Sequence, residues 1–176
     1  MKKNESSKKM YTKKHMIRVN NKINLLGVSS KLNTMTFLNT QLITTIIIFV
    51  FVLINYKYGY IFSIIISAIY YYLFEKILLD KKIKQREKRL NIDAIYFFEV
   101  LTLSLQTGRN LSEAISITTN SVDNDLSLEF KEALRETRFG KSLTESLTDM
   151  QSKIPSDSIN NIILSFLKRK ILSLHV

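Results

Sequence analysis

From Phe37 to Ile54 the chain carries no charged residue, and its centre, Ile46-Ile47-Ile48-Phe49-Val50-Phe51-Val52-Leu53-Ile54, is entirely apolar. At ~1.5 Å rise per residue such a run approaches the ~30 Å hydrocarbon thickness of a bilayer. A second apolar segment, Tyr58 to Leu73 with a fringe to Leu79, follows after only the short polar interruption Asn55-Tyr56-Lys57-Tyr58-Gly59-Tyr60. Its tyrosines sit toward the two ends, Tyr58 and Tyr60 at one and Tyr70, Tyr71 and Tyr72 at the other, where amphipathic rings settle at headgroup level. Lipid offers backbone polar groups no partner, so a spanning segment must be a helix or part of a closed barrel. Two segments cannot close a barrel, which leaves a transmembrane helical hairpin over residues 36–79. A signal peptide would carry a short n-region and a small-residue cleavage site, and neither is present.

Charge sets the expected orientation. Residues 1–35 carry nine Lys or Arg against the single acid Glu5, and residues 80–90 carry six (Lys81, Lys82, Lys84, Arg86, Lys88, Arg89) against Asp80 and Glu87. The connecting loop has only Lys57. Positive residues flank the inner face of a membrane, so both ends of the hairpin are expected in the cytoplasm. The formal charge of +11 would suit nucleic acid or anionic lipid, and its distribution decides between them. Residues 91–167 hold six basic and eleven acidic residues, so the positive excess lies beside the membrane, not on a folded face that could track phosphates. Membrane lipid is therefore an expected partner and nucleic acid is not.

The first 35 residues read as a basic cytoplasmic tail, with Lys pairs at 2 and 3, 8 and 9, and 13 and 14. Met16, Val19, Ile23 and Leu26 recur at helical spacing. They fit either a short interfacial helix ended by Gly27 and Ser29-Ser30, or an unstructured tether. Residues 80–90 read as a basic juxtamembrane helix continuing the second span, in which Glu75 is expected to snorkel or to pair with Lys76 or Lys81. Residues 91–167 then read as a small antiparallel bundle in an all-α fold. Leu90, Ala94, Phe97, Phe98, Leu101 and Leu105 form the first apolar stripe. Leu111, Ala114, Ile115, Thr118 and Val122 form the second, ahead of the Asp123-Asn124-Asp125 turn. The third comprises Leu126, Phe130, Ala133, Leu134 and Thr137. Leu143, Leu147 and Met150 make up the fourth, which halts before Pro155. Ser156 or Asp157 is expected to cap a fifth helix burying Ile159, Ile162, Ile163 and Phe166. Residues 168–176 read as a divergent tail.

Two turns repeat a unit. Gly108-Arg109-Asn110-Leu111-Ser112-Glu113-Ala114-Ile115 is matched 32 residues later by Gly140-Lys141-Ser142-Leu143-Thr144-Glu145-Ser146-Leu147. Each reads as a glycine that closes one helix in the left-handed conformation, then a cap residue whose side chain takes a backbone N–H. A glutamate three positions after the cap can reach back to the cap's own amide. Glu113 and Glu145 thus belong to capping boxes, not to a catalytic pair.

This ordered set, after a membrane hairpin, resembles the type II secretion F-domain family, the inner-membrane platform proteins of type II secretion, type IV pilus and tight-adherence (Tad) pilus systems. The resemblance runs from about Leu90 to Phe166 and includes Leu128-Glu129-Phe130. It implies a platform protein whose cytoplasmic helical domain sits beside a hexameric assembly ATPase, with a second platform subunit and pilin-like proteins as further partners, in a homo- or hetero-oligomer. It implies no catalysis. Family members usually continue through another helix pair and a second membrane hairpin, so the chain is expected to be a C-terminally truncated member.

The remaining chemistry is sparse. Cysteine is absent, which removes disulfides, thiolate nucleophiles and Cys-based metal sites. His15 and His175 both fall in the expected tails, and no phosphate-binding Gly-x-x-x-x-Gly-Lys-Ser loop occurs. No catalytic, cofactor or metal residue is expected. Partner contact is expected instead at Arg109 and Lys141, in the glycine turns, and at Arg135 and Arg138, on the outer face of the third helix. A membrane-anchored signalling relay is the alternative function, although it would want long heptads or a histidine within a helix.

Overall fold

Helical periodicity in the sequence becomes helix throughout a computed structural model of the chain, which describes residues 12–28, 30, 32–55 and 59–173. The lysine pairs before residue 11, Lys57 and Tyr58 in the loop, the Tyr60 ring and His175 lie outside the described residues and side chains. Every regular element described is helical: α1 (Lys13–Asn24), α2 (Thr34–Asn55), α3 (Gly59–Glu75), a π turn (Lys76–Asp80), α4 (Lys81–Gln106), α5 (Leu111–Ser121), α6 (Asp125–Arg138), α7 (Leu143–Gln151) and α8 (Asp157–Ser173). The chain divides into two units. One comprises residues 1–23 and 31–82, the other residues 24–30 and 83–176.

In the first unit α2 and α3 pack on one another. Phe37 near the start of α2 meets Phe74 near the end of α3 with ring centroids 5.6 Å apart. The Gln41 amide, wholly buried, donates to the Tyr71 carbonyl at 2.9 Å. The hydroxyls of Thr40, Thr44 and Thr45 donate back to carbonyls one turn earlier in α2, which satisfies them without water. Both helices are long and apolar enough to cross a membrane, and only 22% of the apolar window of α2 and 11% of the window beginning in α3 is buried. Ile47, Phe51, Ile54, Phe62 and Ile64 all point outward. A helix serving as the core of a soluble protein would hide these side chains.

The expected basic tail includes a helix. Residues 13–24 form α1, with Val19 and Ile23 buried, and α2 begins at Thr34. His15 is therefore not in a loose tail: its Nε2 lies 3.2 Å from the Tyr71 hydroxyl. Glu75 does not pair with Lys76 or Lys81. Lys22 of α1 reaches it at 3.2 Å and reaches Asp80 at 2.8 Å. A partner on another helix can approach both carboxylates at once, whereas Lys76 is the next residue along and points elsewhere on the helix.

The second unit has one core, with Leu90, Phe97, Leu101, Ala114, Ile115, Leu126, Phe130, Leu147, Met150, Ile159 and Ile163 at its centre. Its middle is aromatic. Phe97 stacks on Phe130 at 4.6 Å, and Phe98 meets Phe97 edge-on at 5.6 Å and Phe166 at 6.1 Å. Leu105, Leu111, Leu134, Leu143 and Phe166 are partly buried around it. Consecutive helices α5 to α8 pack on their neighbours through short turns. Asn124 caps α6 by accepting from Ser127 N, so the Asp-Asn-Asp turn works through its amide and not its acids. Ser156 accepts weakly from Ile159 N at 3.4 Å and also donates to Asn91 at 2.6 Å, joining the start of α8 to α4.

One expectation for α8 is corrected. Ile162 is exposed and Leu167 is buried in its place, because the inward rows run 159, 163, 166 and 167 at steps of three and four. The helix α8 runs on to Ser173. Residues 24–30 group with the bundle's unit.

Candidate functional site

The repeated glycine turns adopt the geometry their residues call for. Gly108 has φ +82° and Gly140 has φ +96°. A Cβ at either would meet nothing within 4 Å, so backbone handedness, not space, calls for glycine there. In the second turn the capping box is complete: Ser142 Oγ accepts from Glu145 N at 3.1 Å and Glu145 Oε2 accepts from Ser142 N at 3.3 Å. In the first turn only half of it forms. Asn110 Oδ1 accepts from Glu113 N at 3.0 Å, but the Glu113 carboxylate turns to Arg109 Nη1 at 2.7 Å. A guanidinium one turn away offers a charge-assisted bond that a lone amide cannot match. Leu111 and Leu143 are half-buried, and Ala114 and Leu147 are fully so.

Of the four cations expected to meet partners, three are already engaged. Arg109 is taken by Glu113 and Arg135 by Glu132. Lys141 binds both Glu136 and Asp149, which raises the pKa of its ammonium and lowers that of Asp149. The Arg135 hydrogen bond likewise lowers that of Glu132. Arg138 is exposed and has no acidic partner among the described residues.

What sequence reasoning passed over is a buried ion pair. Arg86, counted there among the juxtamembrane charges, is 3% exposed, and its Nη2 lies 2.6 Å from Glu129 Oε1, itself 2% exposed. Arg86 Nη1 donates to the carbonyls of Leu25 at 2.7 Å and of Lys153 at 2.8 Å, and Glu129 Oε1 also accepts from Val28 N at 2.9 Å. One guanidinium therefore ties together residues 25–28, α4, α6 and the turn after α7. Gly27, at φ +83°, lets the backbone close over it: a Cβ there would lie 2.5 Å from Glu129 Oε1 and nearer still to the guanidinium. A signal was present. Arg86 stands four residues before Leu90 on the buried stripe of α4, and Glu129 lies three residues after Leu126 on the buried stripe of α6. An acid and a base each placed on a core face call for one another.

The second unnoticed feature is outward. Ile92, Ile95, Tyr96 and Leu103 lie on the side of α4 away from the core and are 63%, 74%, 58% and 57% exposed. At spacings of three, four and seven they share one face, with the exposed Glu99 among them, on a helix whose opposite stripe already fills the core. Among the described residues no group of three His, Asp or Glu converges to hold a metal ion. No family model, curated protein or solved structure matches the chain.

Proposed function

We propose that the chain is a membrane-anchored interaction scaffold, an inner-membrane platform subunit of a pilus-assembly or type II-like secretion machine. In this reading α2 and α3 form a transmembrane hairpin in the cytoplasmic membrane, with α1 and the bundle on the cytoplasmic side. The bundle receives an assembly ATPase or a second platform subunit, and the machine acts on pilin-like proteins. The observation that carries the reading is the outward face of α4: a bundle with a filled core leaves Ile92, Ile95, Tyr96 and Leu103 in contact with water, where they favour a protein partner. The outward apolar side chains of α2 and α3 support anchoring, and the basic residues on either side of those helices support the orientation. The ordered glycine-turn motifs support the platform assignment. The chain is given no catalytic role.

The test uses the full chain in lipid nanodiscs with a hexameric pilus-assembly ATPase from the same genome. Binding is expected, with Ile95→Asp and Tyr96→Asp each weakening it at least about tenfold because each leaves a charge in a desolvated contact. Absence of binding by the wild-type chain overturns the platform reading, and binding indifferent to both substitutions overturns the assignment of the face.

A further inference from the structure

The outer face of α1 mixes positive charge and apolar surface. Lys13 and Ile17 form one row at a spacing of four, and Lys14 and Arg18 form the next. All four are exposed, Ile17 by 52%, and α1 contains no acid. None of Lys13, Lys14 and Arg18 has an acidic partner among the described residues, so like charges stand side by side at i, i+4, a repulsion that a bound anion removes. The fourth cation, Lys22, is used differently. It turns inward to Glu75 and Asp80, and burial works against its ammonium, but the two carboxylates outweigh that and raise its pKa.

Three further ties fix α1 to the same ends of the apolar helices. Thr34 at the start of α2 donates to Asn20 Oδ1 at 2.9 Å, His15 meets Tyr71, and Val19 and Ile23 are buried. Beside this face an open groove is lined by Met16, Ile17, Met35 and the polar Asn20, Asn33 and Thr34, apolar and hydrogen-bonding groups together. A helix clamped at the end of lipid-facing segments has the headgroup layer as its neighbour, and exposed cations around a single exposed isoleucine suit that layer's phosphates and acyl boundary.

We propose that α1 is a docked arm that binds anionic phospholipid headgroups through Lys13, Lys14 and Arg18 with Ile17 between them, while Lys22 locks the arm to α3 and the π turn. The proposal rests on the membrane reading above. Because the arm is already folded and held, binding lipid requires no ordering of the helix, unlike a tail that folds on the surface.

The chain has no cysteine, so Asn21→Cys, exposed on the same face, supplies a unique thiol. The full chain carrying it is reconstituted in nanodiscs of phosphatidylcholine alone or with phosphatidylglycerol, and labelling by a polar maleimide is timed. The expected result is labelling roughly fivefold slower in anionic discs at low salt, with the difference shrinking as salt is raised. Adding Lys13→Gln, Lys14→Gln and Arg18→Gln abolishes the difference, whereas Lys13→Arg with Lys14→Arg preserves it. Equal rates in the two lipids, in a chain that resists carbonate extraction from vesicles, overturn the lipid arm and leave the membrane reading standing. Extraction by carbonate overturns both. Equal slowing by free inorganic phosphate over zwitterionic discs overturns lipid as the source of the anion.

Discussion

Arg86→Met and Glu129→Leu, made singly and together, test the buried ion pair as the clasp of the bundle. Arg86→Met leaves a 2% exposed carboxylate with only the Val28 amide, and Glu129→Leu leaves a guanidinium facing two carbonyls with no counter-charge. An unpaired charge at such burial costs about 3–5 kcal/mol, whereas removing both charges together restores an apolar contact and is often close to neutral. With a urea dependence of ~2 kcal/mol per molar for a domain of this size, each single variant should lower the unfolding midpoint by roughly 1.5–2.5 M. The double variant should lose less than the two single losses summed, giving a coupling of about 2 kcal/mol or more. Pulse proteolysis of the detergent-solubilised chain across a urea series reads the midpoint of the bundle. Single variants within ~0.5 kcal/mol of wild type, or a double variant equal to the sum of the singles, would refute the reasoning: Arg86 would then be an ordinary juxtamembrane cation.

The three left-handed glycines should separate by surroundings in the same assay. Gly108→Ala and Gly140→Ala should each cost about 1–2 kcal/mol from handedness alone. Gly27→Ala should cost more, because its Cβ meets the ion pair, and equal losses at all three would contradict the close approach. Ser142→Ala should cost about 1 kcal/mol, and Glu145→Ala should be more damaging than Glu113→Ala, since only Glu145 returns to its cap. Acid should weaken the bundle through Asp149 and Glu132. Their folded pKa values lie below the unfolded ones, so their contribution is present above the ordinary carboxylate range and is lost as the pH falls through the lowered values. Asp149→Asn should flatten part of that acid limb, and high salt should do the same to the exposed pairs; a midpoint constant from neutral pH to pH 3 would count against both.

Much of the bundle was legible because its helices obey a single rule, apolar residues at steps of three and four between glycine or proline stops. Leu90, Ala94, Phe97 and Leu101 are buried for that reason, and Gly108 and Gly140 turn where a left-handed residue was needed. The errors came from reading charge along the chain instead of by face. Counted by position, Arg86 is one more juxtamembrane cation; placed on the wheel with Leu90 and Ala94 it belongs to the core. Arg109, Arg135 and Lys141, expected as partner contacts, each hold an acid three to eight residues away, a pairing that counting charge along the chain does not reveal. Glu75 was matched to neighbours in sequence, because nothing local announces that Lys22 will arrive from another helix. Ile162 was judged inward because three isoleucines in a row-and-a-half of helix satisfy two registers equally well, and only packing against α7 and α4 chooses between them.

The clasp also imposes an order of assembly. Val28 and Glu129 are 101 residues apart, and Arg86 waits on a carbonyl at Lys153, so residues 25–28 leave the ribosome long before anything exists to receive them. The α5–α6 and α6–α7 pairs need only short loops to close and should form early. Fastening the first-made segment should then come late in folding, and until it happens the nascent chain carries an open seam that proteases can find.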